Sequence, residues 1–316
     1  MKPVIIILTL TCLVFCNTVF SQTSFKVIPL GVKGGTDESN LSAYMIAPQG
    51  SNEYVCFDAG TLHYGIEKAI QAKLLPGTAA DVLRKNIRGY LISHAHLDHL
   101  AGMIINSPDD SAKNIYGLDF CLDVLKEKYF TWKSWANFAN EGDQPALGKY
   151  HYSLLTPGAE TPLQNTGMQV TAFVLSHVNP YQSTAFLVRH NESYVLYLGD
   201  TGADSVEHSD KMHQLWQQVA PLLKAKKLKA LFIEVSFSNE QSDKQLFGHL
   251  TPHWLMSALQ DLASLSGTEA LKDFPVVITH IKPGGNREQM VRTQLKAYNP
   301  LHVKLIFPEQ AKLLTF

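Results

Sequence analysis

The segment Ser93-His94-Ala95-His96-Leu97-Asp98-His99-Leu100-Ala101-Gly102 places four potential metal ligands within six residues. Imidazole nitrogens and carboxylate oxygens together suit zinc, with manganese or iron tolerated. In an extended loop, His94 and His96 project to the same side. Asp98 and His99 come one step later, where the chain turns toward a helix, and face a different point. That division suits two adjacent ions better than one. The bland alternative is a solvated histidine-rich loop, and four such residues directly after the apolar run 90–92 speak against it.

Other candidate ligands also follow apolar runs. His177 comes after 170–175, Asp200 after 194–198 and His280 after 276–279. Further short apolar runs at 54–57, 184–188, 230–235 and 303–307 read as strands. Recurrence at three and four residues in Leu118-Cys121-Leu122-Leu125-Tyr129, Met212-Leu215-Trp216 and Leu255-Leu259-Leu262 predicts helices. Strands outnumber helices and the helices are interspersed, which predicts an α+β chain of sheets covered by helices. Strands that each end in a potential ligand would gather them at one edge.

With 27 Lys+Arg against 28 Asp+Glu, 45% hydrophobic and 17% charged residues, the chain reads as globular and not as disordered. No basic excess exists to displace counterions, which excludes a nucleic-acid binder working by bulk electrostatics. Residues 1–21 read as a signal peptide: Lys2 supplies the positive start, 4–14 is almost unbroken apolar, and Val19-Phe20-Ser21 suits cleavage before Gln22. Phe15 precedes Cys16 where a lipoprotein would need a small residue, so cleavage ranks above lipid attachment and above an uncleaved anchor. The expected protein is then periplasmic or secreted, without stable membrane association once the leader is removed. It keeps only Cys56 and Cys121, with Cys56 in an apolar run that favours a buried thiol. No long linker, charge block or short repeat divides residues 22–316, which are expected to form one domain.

The longer string from His94 to Pro108 resembles the metallo-β-lactamase superfamily, and within it the class-II 3′,5′-cyclic-nucleotide phosphodiesterases. It reads His94-Ala95-His96-Leu97-Asp98-His99, then Leu100, Gly102, the apolar run Met103-Ile104-Ile105, and Ser107-Pro108. Further pieces similar to that family are Asp58-Ala59-Gly60-Thr61, Ile115-Tyr116-Gly117-Leu118-Asp119, Leu198-Gly199-Asp200-Thr201-Gly202, Ile233-Glu234-Val235-Ser236-Phe237, Gly248-His249-Leu250-Thr251-Pro252 and Thr279-His280-Ile281-Lys282-Pro283. They occur in family order along nearly all of the chain after the leader. The short H-x-H-x-D-H marks the superfamily, whereas the long form with the last two pieces marks the family.

The resemblance implies a four-layer αββα sandwich of the metallo-β-lactamase type, holding two divalent metal ions, zinc for preference. It assigns His94, His96 and His177 to the first ion, and Asp98, His99 and His280 to the second, with Asp200 bridging. His151 and His190 are nearby alternatives to His177, but His190 follows Arg189 in an expected turn and reads as solvent-facing. His63, His208, His213, His253 and His302 have no motif context. The implied activity is hydrolysis of cAMP, cGMP or both to nucleoside 5′-monophosphates by a hydroxide bridging the metals, with Asp98, His249 and Glu234 as catalytic residues. His249 is the candidate general acid for the leaving 3′ oxygen and Glu234 its partner, partly by analogy with the tRNA 3′-processing endonucleases. The alternative for this pair is a turn-capping carboxylate and a packed histidine.

Asp58 is expected outside the ligand set, fixing the metal loop by hydrogen bonds. Lys282 either faces the phosphate or is solvated. The aromatic stretch holding Trp132 and Trp135 either stacks on a base or, slightly favoured, packs or meets a second copy in a homodimer. The partner implied is a small cyclic nucleotide and no nucleic acid. Rival readings are another hydrolase on the same metal pair (thiolesterase, lactonase or β-lactamase), an RNA-processing nuclease, and a catalytically silent cyclic-nucleotide binder.

Overall fold

A computed structural model describes residues 24–316. The expected leader, with Cys12 and Cys16, lies outside the described residues. The strands are β1 (Phe25–Gly31), β2 (Ala43–Pro48), β3 (Tyr54–Phe57), β4 (Ile87–Leu91), β5 (Lys113–Gly117), β6 (Tyr150–Leu154), β7 (Glu160–Leu163), β8 (Met168–Ser176), β9 (Gln182–His190), β10 (Ser193–Tyr197), β11 (Leu228–Glu234), β12 (Pro275–Thr279), β13 (Lys304–Ile306) and β14 (Leu314–Thr315). The helices are α1 (His63–Gln71), α2 (Ala79–Lys85), α3 (Leu97–Asn106), α4 (Asp119–Val124), α5 (Asp204–Glu207), α6 (Lys211–Lys224), α7 (Pro252–Ser266) and α8 (Arg287–Ala297).

The strands form two seven-stranded sheets, in the orders β14-β1-β2-β3-β4-β5-β6 and β13-β12-β11-β10-β9-β8-β7. Each sheet is antiparallel at one side and parallel at the other: β3 to β6 run parallel in the first, β10 to β13 in the second. Parallel neighbours need crossovers, and helices supply most of them here. Strand faces turned toward each other bury Phe57, Leu91, Val188, Tyr197 and Phe232 in a core shared by both sheets. The Phe57 and Tyr197 rings stack across it, 4.8 Å apart and 9° from parallel. On the outer face of the first sheet, Ile66, Val82, Leu100 and Cys121 carry α1 to α4 into a second core. On the outer face of the second, Trp216, Leu259 and Val291 carry α6, α7 and α8 into a third. Helices, sheet, sheet, helices is the expected αββα sandwich.

All eight apolar runs read as strands are strands, and the patterns at 212–216 and 255–262 lie in α6 and α7. The pattern at 118–129 ends as α4, continued by a π-helical turn over Leu125–Tyr129. His190 is not in a turn: it ends β9, half-buried, with Nδ1 on the Gly167 carbonyl at 3.0 Å. Cys56 and Cys121 are buried free thiols, as expected for Cys56. No helix among the described residues is long and apolar enough to cross a membrane.

Candidate active site

Every ligand expected from the sequence reaches one edge of the sandwich. His94 and His96 leave the end of β4, and Asp98 and His99 form the first turn of α3. His177 follows β8, Asp200 follows β10, Glu234 ends β11 and His280 follows β12. The first sheet thus supplies four of these side chains and the second supplies the rest.

His94, His96 and His177 converge as one group of three, and Asp98, His99 and His280 as another. Nδ1 of His96 lies 3.4 Å from Nε2 of His177. Nε2 of His280 lies 3.0 Å from Nε2 of His99 and 3.1 Å from Oδ2 of Asp98. Between the groups, Oδ2 of Asp200 is 3.2 Å from His280 Nε2, 3.3 Å from His99 Nε2 and 3.9 Å from His94 Nε2. That is a bridging position. Buried, with no hydrogen-bond partner among the described residues, are His94 Nε2 and Asp200 Oδ1. Each such orphan costs about 1–3 kcal/mol, and a cation between them would satisfy both. The donor set fits two divalent ions, with nitrogen and carboxylate ligands on each.

The outward nitrogens are occupied, which fixes the inward ones. His99 Nδ1 donates to Asp58 Oδ2 at 2.7 Å, and His177 Nδ1 donates to the Gly248 carbonyl at 2.8 Å. His94 Nδ1 lies 3.0 Å from Ser93 Oγ, and His280 Nδ1 lies 2.9 Å from Ser236 Oγ. Ser93 Oγ in turn donates to Asp58, and Ser236 Oγ to Glu234. Rings held this way keep one tautomer and one orientation. Asp58 also accepts from the Ser93 amide and the Tyr197 hydroxyl, so its expected place outside the ligands matches its contacts. Gly248 sits at φ 73°, and a Cβ there would lie 2.3 Å from the Val178 amide nitrogen, so only glycine brings its carbonyl to His177.

Several contributors carry no sequence signal of their own. Gly34 packs flat on the His280 ring, and the Gly35 amide donates to Asp98 Oδ2 at 2.8 Å. Tyr181 stacks on His96, with ring centroids 5.0 Å apart and planes 5° from parallel. Ser93, Ser236 and Tyr197 are common residue types, and only the folded contacts reveal them.

Electrostatics follows from burial. It pushes His94 well below the ordinary histidine range and His177 down to about 4. For His99 burial acts the same way, but the carboxylates of Asp200, Asp58 and Asp98 outweigh it and hold the ring well above that range. Burial would raise Asp98 and Asp200, yet the surrounding histidines hold both far below the usual carboxylate range. Such opposed shifts within a few ångströms mark a site built for a cation or for proton transfer.

Glu234 and His249 form a separate pair beside Asp200. His249 Nδ1 is 2.7 Å from Glu234 Oε1 and 3.7 Å from Asp200 Oδ2. Burial, reinforced by Asp200, raises Glu234 to about 7, and burial lowers His249 to about 4. His249 Nε2 has no hydrogen-bond partner among the described residues. Lys282 is half-buried, its ammonium 5.7 Å from the Phe237 ring that packs on His249, so it flanks the site. Trp135 donates to Ser107 Oγ at the opposite end of α3 from Asp98, about 14 Å along the helix axis. Trp132 donates to the Pro145 carbonyl. Those bonds support packing over base stacking. A cavity of about 570 Å³ between Phe173, Leu187 and α6 lies away from the ligand groups and is lined by none of them.

The pattern of the cAMP phosphodiesterases class-II matches residues 76–305. The chain belongs to this family. A 3′,5′-cyclic-nucleotide phosphodiesterase of Aliivibrio fischeri is 42% identical over 326 residues, covering 97% of this chain and 98% of that protein. Among solved structures, unliganded yeast PDE1 matches with a TM-score of 0.82 at 20% identity, covering 93% of this chain and 100% of that one. The metallo-β-lactamase fold protein YhfI from Bacillus subtilis matches at 0.59 and 17% identity, covering 92% and 99%. The fold is therefore the metallo-β-lactamase sandwich, and the chain is an enzyme of the class-II phosphodiesterase family.

Proposed function

We propose that this protein hydrolyses 3′,5′-cyclic nucleotides, cAMP, cGMP or both, to nucleoside 5′-monophosphates with two divalent metal ions, zinc for preference. The observation that carries the reading is the His249–Glu234 pair set beside two ligand groups that share Asp200. Lactam or thioester cleavage on the same ligands has no need of a positioned acid for an alkoxide. When bound, the ions would supply a water acidified toward neutral pH and positive charge for the phosphoryl oxygens. His94, His96 and His177 would hold one, Asp98, His99 and His280 the other, with Asp200 between.

The chain's own part is orientation and proton delivery. Burial disfavours charge on Glu234 and His249 alike, so the pair holds one proton between Oε1 and Nδ1 and a second on Nε2. As the P–O3′ bond breaks, Nε2 gives its proton to the departing oxygen. The other proton stays on Nδ1 and Glu234 is left ionised, steadied by the Ser236 hydroxyl and the Ser236 and Thr201 amides. Lys282 adds a positive charge beside the phosphate.

The test is product analysis with the metal-loaded protein on cAMP, cGMP, a 2′,3′-cyclic nucleotide, a linear diester and a lactam. The 5′-monophosphate from a 3′,5′-cyclic substrate is the expected product. Turnover of the lactam or the linear diester with both cyclic 3′,5′-nucleotides untouched would overturn the assignment.

A further inference from the structure

Of the five histidine rings in the two ligand groups, four have a hydrogen-bond partner on the outward nitrogen: His94 has Ser93, His99 has Asp58, His177 has the Gly248 carbonyl and His280 has Ser236. His96 is the exception. It turns Nδ1 toward His177, and its outward Nε2 has no hydrogen-bond partner among the described residues. It is also the exposed member of the set, where the other four rings are buried. A ring without an outward bond turns about its last torsion unless something else confines it.

Tyr181 supplies that confinement. Its ring stacks on His96 at 5° from parallel, and meets His94 and His177 edge-on at centroid distances of 6.2 and 6.1 Å. One side chain thus borders all three rings of the first group. Tyr181 lies in the turn between β8 and β9 that also carries His177, and the His177 amide donates to the Tyr181 carbonyl at 3.1 Å. Buried Glu207 holds that turn, accepting from the Asn179 amide at 2.7 Å and from Ser176 Oγ at 3.1 Å. The backbone beside His96 is held by tyrosines as well. The Ala95 amide donates to the Tyr181 hydroxyl at 3.3 Å, and the Tyr129 hydroxyl donates to the Ala95 carbonyl at 3.1 Å. Tyr129 ends the π-helical turn, a rare form that is frequent at functional sites.

We infer that Tyr181 is the positioning residue of the first ligand group: its ring does for His96 what a hydrogen bond does for the other four histidines, keeping Nδ1 turned inward. This rests on the two-metal reading above.

The experiment titrates zinc against a chelating dye in wild type, Tyr181→Leu and Tyr181→Phe, with thermal melting of each metal-free protein. Leucine stays apolar but removes the flat face, and phenylalanine keeps the face but removes the hydroxyl. In Tyr181→Leu the affinity for one of the two zinc ions should fall about 10–100-fold, while the other ion binds within about threefold of wild type. Tyr181→Phe should bind both ions within about threefold of wild type, because the 3.3 Å bond it loses is long and weak. Should Tyr181→Leu not melt cooperatively, Tyr181→Met, which also lacks a flat face, takes its place. A purely structural defect would weaken both ions alike. Equal losses for both ions in Tyr181→Leu overturn the positioning role, and so do two affinities within about threefold of wild type or a Tyr181→Phe protein as weak as Tyr181→Leu. Wild type that binds fewer than two zinc ions overturns the metal reading itself.

Discussion

Replacing Gly34 with alanine tests the site at a residue that makes no bond to a ligand. A Cβ on Gly34 would lie 2.3 Å from Cε1, 2.4 Å from Nδ1 and 2.6 Å from Nε2 of His280. That is about 1 Å short of ordinary van der Waals contact. The ring cannot simply swing aside, because Ser236 holds its Nδ1 and the backbone at His280 sits at φ 59°. If the loop retreats instead, the Gly35 amide leaves Asp98. Either movement opens the group formed by Asp98, His99 and His280 and leaves His94, His96 and His177 intact. A displacement of about 1 Å at reacting groups lowers rates by on the order of 100-fold. The expected Gly34→Ala protein therefore binds about one equivalent of zinc or manganese in place of two, by elemental analysis after gel filtration. Its kcat/KM for cAMP falls about 100-fold with an unchanged far-ultraviolet circular dichroism spectrum. Two equivalents of metal together with kcat/KM within about threefold of wild type would refute the reasoning.

Asp58→Ala removes the acceptor of His99 Nδ1, Ser93 and Tyr197 at once; metal affinity, measured by competition with a chelating dye, should fall about 10–100-fold. His249→Ala should keep both metals and lower kcat for cAMP by about 10²–10⁴. The same variant should lose far less on bis(p-nitrophenyl) phosphate, whose leaving group needs no proton, and equal losses on the two substrates would remove the acid role. Trp132→Ala and Trp135→Ala each lose one indole hydrogen bond. They should cost about 1 kcal/mol in urea unfolding with KM for cAMP unmoved; a raised KM with unchanged stability would restore the stacking idea.

The candidate ligands were legible because each sits at the end of an apolar run or in one tight motif, and strand ends at one sheet edge are brought together by the topology. The outer partners were not. Ser93, Ser236 and Tyr197 act through hydrogen bonds to residues 35, 44 and 139 positions away, or to a near neighbour whose role is set only by rotamer. Gly34 and Gly35 act through backbone proximity to His280 and Asp98, which no spacing rule encodes. Among the elements, β2 was missed because Ala43, Ala47 and Pro48 are residue types that strands disfavour, although all six of its residues are buried. α8 was missed because only Val291 and Leu295 are buried in eleven residues, too few for a stripe. Asp58 was placed by its position after β3, and the contacts gave it the anchoring role.

The division of ligands between the two sheets has a bearing on survival as well as chemistry. His94, His96, Asp98 and His99 belong to one half of the sandwich, and His177, Asp200 and His280 to the other. On the proposed metal reading, a cation held by both halves would act as a rivet across their seam and would bind the folded chain far better than the unfolded one. At a hundredfold excess over its dissociation constant, such an ion adds about 2.7 kcal/mol to the resistance against unfolding. Scarcity of metal would then shorten the lifetime of the molecule as well as silence it.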